Sequence, residues 1–151
     1  MLQKATQNSD ARVAANAVEV LSHFEDDSDT SLDDLMRHKD RRIAANALVS
    51  AGKKEVSVEV VQLLSQMLQS PDHSRVASGV YSLGEISAYH FKRDPVYYRT
   101  QVDLLELVDT LLSLARHESE SVSRQANKAI SKIDDPELLE RLGCAAVSKA
   151  S

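Results

Sequence analysis

A short phrase of about a dozen residues occurs four times in this 151-residue chain. The copies lie at residues 10–21, 40–52, 72–86 and 119–133. Recurrence at intervals of roughly 30 residues or more is typical of stacked helical repeats, each of which buries its apolar face against its neighbours. The sequence therefore predicts an open stack of repeats, and such a stack presents a surface rather than an enclosed pocket.

Each copy predicts one amphipathic helix, which we call an inner helix. A residue that caps helix N-termini well begins every copy, namely Asp10, Asp40, Asp72 and Ser119. Seven residues later every copy has a small residue, namely Ala17, Ala47, Gly79 and Ala126. Apolar residues follow in steps of three and four, the spacing of one helix face. The small residues are expected to line a shared interior where neighbouring helices approach closely.

A second apolar helix is predicted before the later inner helices. The predicted helix pairs occupy residues 1–24, 30–54, 56–88 and 100–133, and a capping helix follows at about 136–148. Four Gly, three Pro and no Trp favour packed helices over a sheet. Because aromatic residues make up only 4% of the chain, aliphatic and Ala packing must form most of the core.

The repeats resemble short bacterial-type HEAT repeats, which have an Asp at the turn, an Arg beside an apolar residue and small residues along the inner helix. The resemblance covers about residues 8–133 and implies an all-α, right-handed solenoid of about four helix pairs. The chain departs from the family pattern because Ala14 and Ala44 stand where an Arg usually follows the apolar turn residue. Arg12 and Arg42 precede that residue instead, so we expect them to face solvent rather than form an Asp–Arg ladder.

Composition limits the compartment and the partners. A single Cys144 rules out a disulfide within the chain, and neither a membrane-spanning run nor a signal peptide is recognised, so a cytoplasmic location is expected. The chain begins almost directly with an inner helix, so we expect it to be a segment of a longer protein. The net charge of −5 makes nucleic acid an unexpected partner, because binding to phosphates requires a basic face. The charge is uneven, however: residues 1–36 carry −6 and residues 37–54 carry +5.

The segment 89–99 interrupts the repeat and is predicted to be a loop rich in aromatic residues. Five of the six aromatic residues lie between positions 81 and 98. Tyr and Arg are enriched at binding hot spots, so this segment is a candidate partner-binding site. The candidates here are Phe91, Arg93, Tyr97, Tyr98 and Arg99. The alternative is that Phe91, Tyr97 and Tyr98 fold back and cover the edge between the third and fourth repeats.

The inner helices supply a second candidate surface. The resemblance places them on the concave side, where Ala-rich positions would form the floor of a shallow groove. The candidates for partner contact on this side are Arg12, Arg42, Tyr81, Arg124 and Lys128. An ordinary solvated face is the alternative.

The sequence gives little indication of a metal site or a catalytic motif. Asp27, Asp29, Ser31 and Asp33 have the alternate spacing of a calcium loop, but the required turn Gly and distal Glu are missing. His38, His73 and His117 each lie near an inter-helix turn and are expected to stack along one edge, without the ligand spacing of a zinc site. No Gly-rich phosphate loop or Gly-flanked Ser elbow occurs.

These observations predict a non-enzymatic protein-interaction or scaffold module that binds a partner peptide or helix on the inner-helix groove and segment 89–99. No cofactor, membrane or small-molecule ligand is expected. The alternative is a HEAT-like enzyme or ligand-handling protein, similar to the chromophore lyases or the DNA glycosylase of this fold. A purely structural spacer is a third possibility.

Overall fold

The computed structural model describes residues 32–150, with side chains described for residues 32–143. Within this range the regular secondary structure is entirely helical, which confirms the predicted all-α class there. The helices are α1 (Leu32–Met36), α2 (Arg41–Lys54), α3 (Val58–Leu68), α4 (His73–Arg93), α5 (Pro95–Thr100), α6 (Val102–Leu114), α7 (Glu120–Ile133) and α8 (Pro136–Ala150). The first predicted helix pair, with Asp10, Arg12 and Ala17, lies outside the described residues.

The inner helices begin at the predicted caps. The carboxylate of Asp40 accepts hydrogen bonds from the backbone N–H groups of Arg42 and Ile43, and that of Asp72 accepts one from Ser74. These bonds satisfy amides that have no partner within the helix. Ser119 stands at the N-cap of α7 but makes no side-chain cap bond.

In each of these turns, the side chain two residues before the N-cap residue also accepts a backbone hydrogen bond. The Nδ1 atom of His38 accepts a hydrogen bond from the backbone N–H of Asp40 at 2.9 Å, and His117 accepts one from Ser119 at 3.0 Å. In the same way, the Ser70 hydroxyl accepts a hydrogen bond from the backbone N–H of Asp72. The rings of His73 and His117 meet edge to face with centroids 4.9 Å apart, so the expected histidine contact is confirmed for this pair.

Contacts between the helices follow the order of the chain. Inner helix α2 packs against α4, and α4 packs against α7, which is the most extensive contact between helices. Each inner helix also packs against a helix that precedes it: α1 against α2, α3 against α4, and α6 against α7. Aliphatic side chains fill the space between them, including Leu48, Leu64, Leu83, Leu104, Leu111 and Ile130, all fully buried.

Small residues lie where the helices approach most closely. Ala47, Gly79 and Ala126 are buried, as the repeat pattern predicts. A Cβ atom added to Gly79 would lie 2.8 Å from Cβ of Met67 on α3. One added to Gly84 would lie 2.6 Å from Cβ of Ala129 on α7. These distances are shorter than normal van der Waals contacts, so the present helix spacing requires residues without a side chain at both positions.

The prediction of a loop at residues 89–99 is wrong. Helix α4 continues to Arg93, past the predicted repeat boundary at residue 88, and α5 begins at Pro95. Only Asp94 interrupts the helices, with φ −152° and ψ 86°. The residue before a proline is disfavoured in the helical conformation, and Pro is well tolerated in the first helical turn. Asp94 also accepts a hydrogen bond from the backbone N–H of Tyr97 and thereby caps α5.

Two buried serines on α4 offer a matched test of the α2–α4 contact. The Ser82 hydroxyl donates to the carbonyl of Ala45 on α2 at 2.9 Å, whereas the Ser87 hydroxyl has no hydrogen-bond partner among the described residues. We expect Ser82→Ala to lower the free energy of unfolding by about 1 kcal/mol, because it removes a buried hydrogen bond between α4 and α2. Ser87→Ala is expected to be neutral or slightly stabilising. Urea denaturation of both variants measures the difference, and equal effects would contradict the assigned bond.

Candidate binding groove on the inner helices

The exposed sides of the inner helices α2, α4 and α7 form one continuous groove, which we call the inner groove. Three connected depressions make up this surface, with volumes of about 320, 390 and 690 Å³. Near the starts of the helices the floor is low because Ala45, Ala77, Ser74 and Ser121 are small. Arg42 is exposed at this end, as expected from its position before the apolar turn residue.

Tyr81 lies at the centre of the inner groove and lines all three depressions. It is 39% exposed, which is unusual for a large side chain on the most centrally packed helix. Lys128 on α7 and the half-buried Val49 on α2 flank it. A ring that is held on a packed helix and remains accessible can bury contact area at little entropic cost.

Arg124 lies outside this groove. Its guanidinium pairs with Glu120 one turn earlier on α7, at 2.6 Å, and it does not line any of the three depressions. Asn46, whose counterpart in the repeat is Asn16, donates its amide to the carbonyl of Arg42 at 2.9 Å.

The largest depression lies at the C-terminal ends of α2 and α4 and brings together residues that the sequence pattern did not single out. Tyr89, Lys53 and Lys54 line it alongside the predicted Arg93 and Tyr97. A signal for Tyr89 was present in the sequence: Tyr81, Glu85, Tyr89 and Arg93 recur in steps of four. Such spacing places side chains on one face of a helix, and recognising α4 as continuous to Arg93 would have revealed it.

Two cationic side chains lie close to the Tyr89 ring. The Nζ atom of Lys53 lies 5.5 Å from the ring centroid, and Cζ of Arg93 lies 5.6 Å from it. Both distances are in the range of cation–π attraction. The two positive charges can therefore be no more than about 11 Å apart. We call Lys53, Tyr89, Arg93 and Tyr97 the basic–aromatic end of the inner groove.

The inner groove is basic although the chain is acidic. The side chains that line the three depressions include seven basic residues, Arg41, Arg42, Lys53, Lys54, Arg93, Lys128 and Lys132, and two acidic residues, Glu85 and Asp94. Glu85 pairs with Lys132, and Asp94 caps α5. The lining thus carries a formal charge of +5, whereas the whole chain carries −5.

Other candidates from segment 89–99 face away from this groove and into the core. Tyr98 is only 1% exposed, and its ring stacks on Phe91 with centroids 5.5 Å apart. Burial raises the pKa of the Tyr98 hydroxyl to about 12, and the nearby carboxylate of Asp135 adds to the rise. The alternative that these rings fold back into the core is therefore correct for Phe91 and Tyr98. Tyr97 remains half-exposed. Tyr98 is therefore not an exposed anchor for a partner.

Arg99 connects α5 to the turn between α7 and α8 through ion pairs. It donates to the buried carboxylate of Asp135 at 2.8 Å, lies 3.5 Å from a carboxylate oxygen of Glu137 and covers the Phe91 and Tyr98 rings. The hydrogen bond to Asp135 raises the pKa of Arg99 further. Because its guanidinium is engaged in this way, the role of Arg99 in the structure is to hold helices together.

No family model, curated protein or solved structure matches the chain. Across residues 32–143, no group of three or more His, Cys, Asp or Glu side chains is arranged to hold a metal ion. In the calcium-like sequence, Asp33 lies in the first turn of α1, and Asp27, Asp29 and Ser31 lie outside the described residues. No helix in the described part of the chain has both the length and the apolarity needed to cross a membrane.

Proposed function

We propose that this chain is a non-enzymatic protein-interaction module that binds a peptide or helix of a partner protein along the inner groove. We further propose that its helix pairs stack as a right-handed solenoid of the HEAT-like type, with the inner helices on the concave side. The observation that carries the proposal is the continuous groove across three sequential inner helices, centred on the exposed ring of Tyr81.

The repeat pattern supports the solenoid. Inner helices contact each other in chain order, and each also contacts a helix that precedes it. That contact order is expected when every repeat packs only against its neighbours. Solenoids of this kind commonly use the surface lined by corresponding helices to bind extended partners.

The shape of the groove supports a peptide or helix as the occupant. Ala45, Ala77 and Ser78 keep one part of the floor low enough for a partner backbone to approach closely. Tyr81 and Tyr89 supply flat contact area further along the same face of α4. Together these residues provide a shallow track with aromatic contact points, the arrangement used to bind helices and extended segments.

A bulky residue on the groove floor is expected to block binding. Ser78→Gln adds side-chain volume there while preserving neutrality and helix-forming tendency. Linear peptides of 16 residues selected from a displayed random library against the purified protein provide the probes. Ser78→Gln should weaken their binding at least tenfold, equivalent to about 1.4 kcal/mol, as measured by fluorescence anisotropy.

The matched control is Ser113→Gln on α6, where the serine is exposed and away from the inner groove. This variant should bind the selected peptides as the parent chain does, and both variants should retain the parent melting temperature. Peptides that lose affinity for Ser113→Gln, or that bind both variants equally well, would contradict the proposed use of the inner groove.

A further inference from the structure

We propose that the partner segment is acidic and that its carboxylates bind at the basic–aromatic end of the inner groove. This inference rests on the proposed function and specifies the chemistry of the partner. Two carboxylates would pair with Lys53 and Arg93, while an apolar side chain between them would lie against the Tyr81 and Tyr89 rings.

Lys53 and Arg93 are not used by ion pairs within the described part of the protein. Arg37, Arg99, Lys132 and Arg141 each pair with a carboxylate from another part of the fold, and Arg124 pairs along its own helix. Among residues 32–143, no ion pair joins Lys53 or Arg93 to a carboxylate. Their close neighbour is the Tyr89 ring, whose attraction orients both charges without neutralising either.

The distribution of charge favours an acidic protein segment over a nucleic acid. The groove lining carries +5, which leaves −7 for the other side chains of residues 32–143, whose total is −2. A nucleic acid extends beyond a short groove, and its phosphates would then face this negative remainder. A peptide can place its few carboxylates inside the groove only, so it gains the attraction without the repulsion.

The spacing of the two cations limits the spacing of the partner's carboxylates. Since Lys53 and Arg93 are at most about 11 Å apart, they suit carboxylates separated by no more than about two turns of a helix, at 1.5 Å per residue. A helix with acidic residues four or seven positions apart meets this limit. Apolar residues on the same helix face would reach the two tyrosines.

The test uses three fluorescein-labelled synthetic peptides of 16 residues that share the same Leu positions. Their remaining positions are Glu in one peptide, Gln in the second and Lys in the third, and a 16-nucleotide single-stranded DNA is the fourth probe. Binding is measured by fluorescence anisotropy at 50 and 200 mM NaCl. The Glu peptide should bind at least tenfold more tightly than the Gln and Lys peptides, and its affinity should fall at higher salt.

Charge reversal identifies the site. Lys53→Glu/Arg93→Glu should weaken binding of the Glu peptide at least tenfold and should improve binding of the Lys peptide. The matched control is Lys92→Glu/Arg116→Glu, which makes the same charge change at two exposed residues that do not line the inner groove. This control should alter the affinity less than threefold, and melting temperatures verify that both variants fold.

Four outcomes would overturn the inference, and they separate it from the proposed function. Equal binding of the Glu and Gln peptides, both weakened by Ser78→Gln, would refute the acidic partner and leave the groove proposal intact. Equal loss of affinity in both charge-reversal variants would show that overall charge, rather than this site, attracts the peptide. DNA binding that Lys53→Glu/Arg93→Glu abolishes, without binding of the Glu peptide, would assign the site to nucleic acid. Peptide binding that Ser78→Gln leaves unchanged would remove both proposals.

Discussion

Gly84→Ala is expected to lower the free energy of unfolding by about 2 kcal/mol, although Ala normally stabilises a helix by about 1 kcal/mol relative to Gly. The added methyl group would lie 2.6 Å from Cβ and 3.1 Å from Cα of Ala129. Neither atom can move away by a change of rotamer, so α4 and α7 must separate. Their interface is the most extensive between helices, and many buried side chains would lose contact. Urea denaturation gives the difference directly.

Moving the methyl group to the other helix is expected to recover part of this loss. In Gly84→Ala/Ala129→Gly the Cβ–Cβ clash disappears. The free energy of unfolding of the double variant should therefore be at least about 1 kcal/mol higher than the value obtained by adding the effects of the two single changes. Gly143→Ala is the matched control, since a Cβ there meets no atom within 4 Å, and it should be neutral or stabilising. If Gly84→Ala were as harmless as Gly143→Ala, or the double variant were additive, the close approach of α4 and α7 would be wrong.

The protein is expected to lose about 2 kcal/mol of stability between pH 10 and pH 12 because of Tyr98 alone. In the unfolded chain the hydroxyl ionises near its ordinary pKa of 10, whereas burial in the folded protein raises its pKa to about 12. Over this interval the unfolded state binds fewer protons than the folded state, so the free energy of unfolding falls as the pH rises. Below about pH 9 the hydroxyl is almost entirely neutral in both states and makes no such contribution.

Tyr98→Phe isolates this effect from the titration of lysines in the same range. The Tyr98 hydroxyl is buried and has no hydrogen-bond partner among the described residues, so its removal should leave stability at pH 7 unchanged or slightly higher. The variant should lack the additional alkaline loss in denaturation curves recorded from pH 9 to pH 12. Parallel losses in the parent and in Tyr98→Phe would contradict the assigned burial. Tyr98→Ala, which also removes the ring stacked on Phe91, should cost about 3–5 kcal/mol at pH 7.

Local sequence signals predicted much of the fold because they act over a few residues. Asp40 and Asp72 have the chemistry of N-caps, and both accept the expected hydrogen bonds. Ala47, Gly79 and Ala126 recur at one position of the repeat, and all three are buried. These features depend on helix periodicity and backbone geometry, which can be recognised without knowledge of the distant contacts.

Distant contacts decided what the sequence could not predict. The pair Asp94-Pro95 predicts a loop, but a single extended residue suffices to end α4 and cap α5. Whether Tyr97 or Tyr98 turns inward depends on the position of α5 against Phe91 and Asp135, residues contributed by other elements. The basic–aromatic end likewise requires Lys53 on α2 to meet Tyr89 on α4, which are separated by α3 in the chain.

The most direct test of the inner groove is two-dimensional NMR of the isotopically labelled protein titrated with the Glu peptide. We expect the shifted resonances to cluster on α2, α4 and α7, with the largest changes at Lys53, Tyr81, Tyr89 and Arg93. Changes concentrated instead on α3 and α6, with those four residues unaffected, would contradict this expectation.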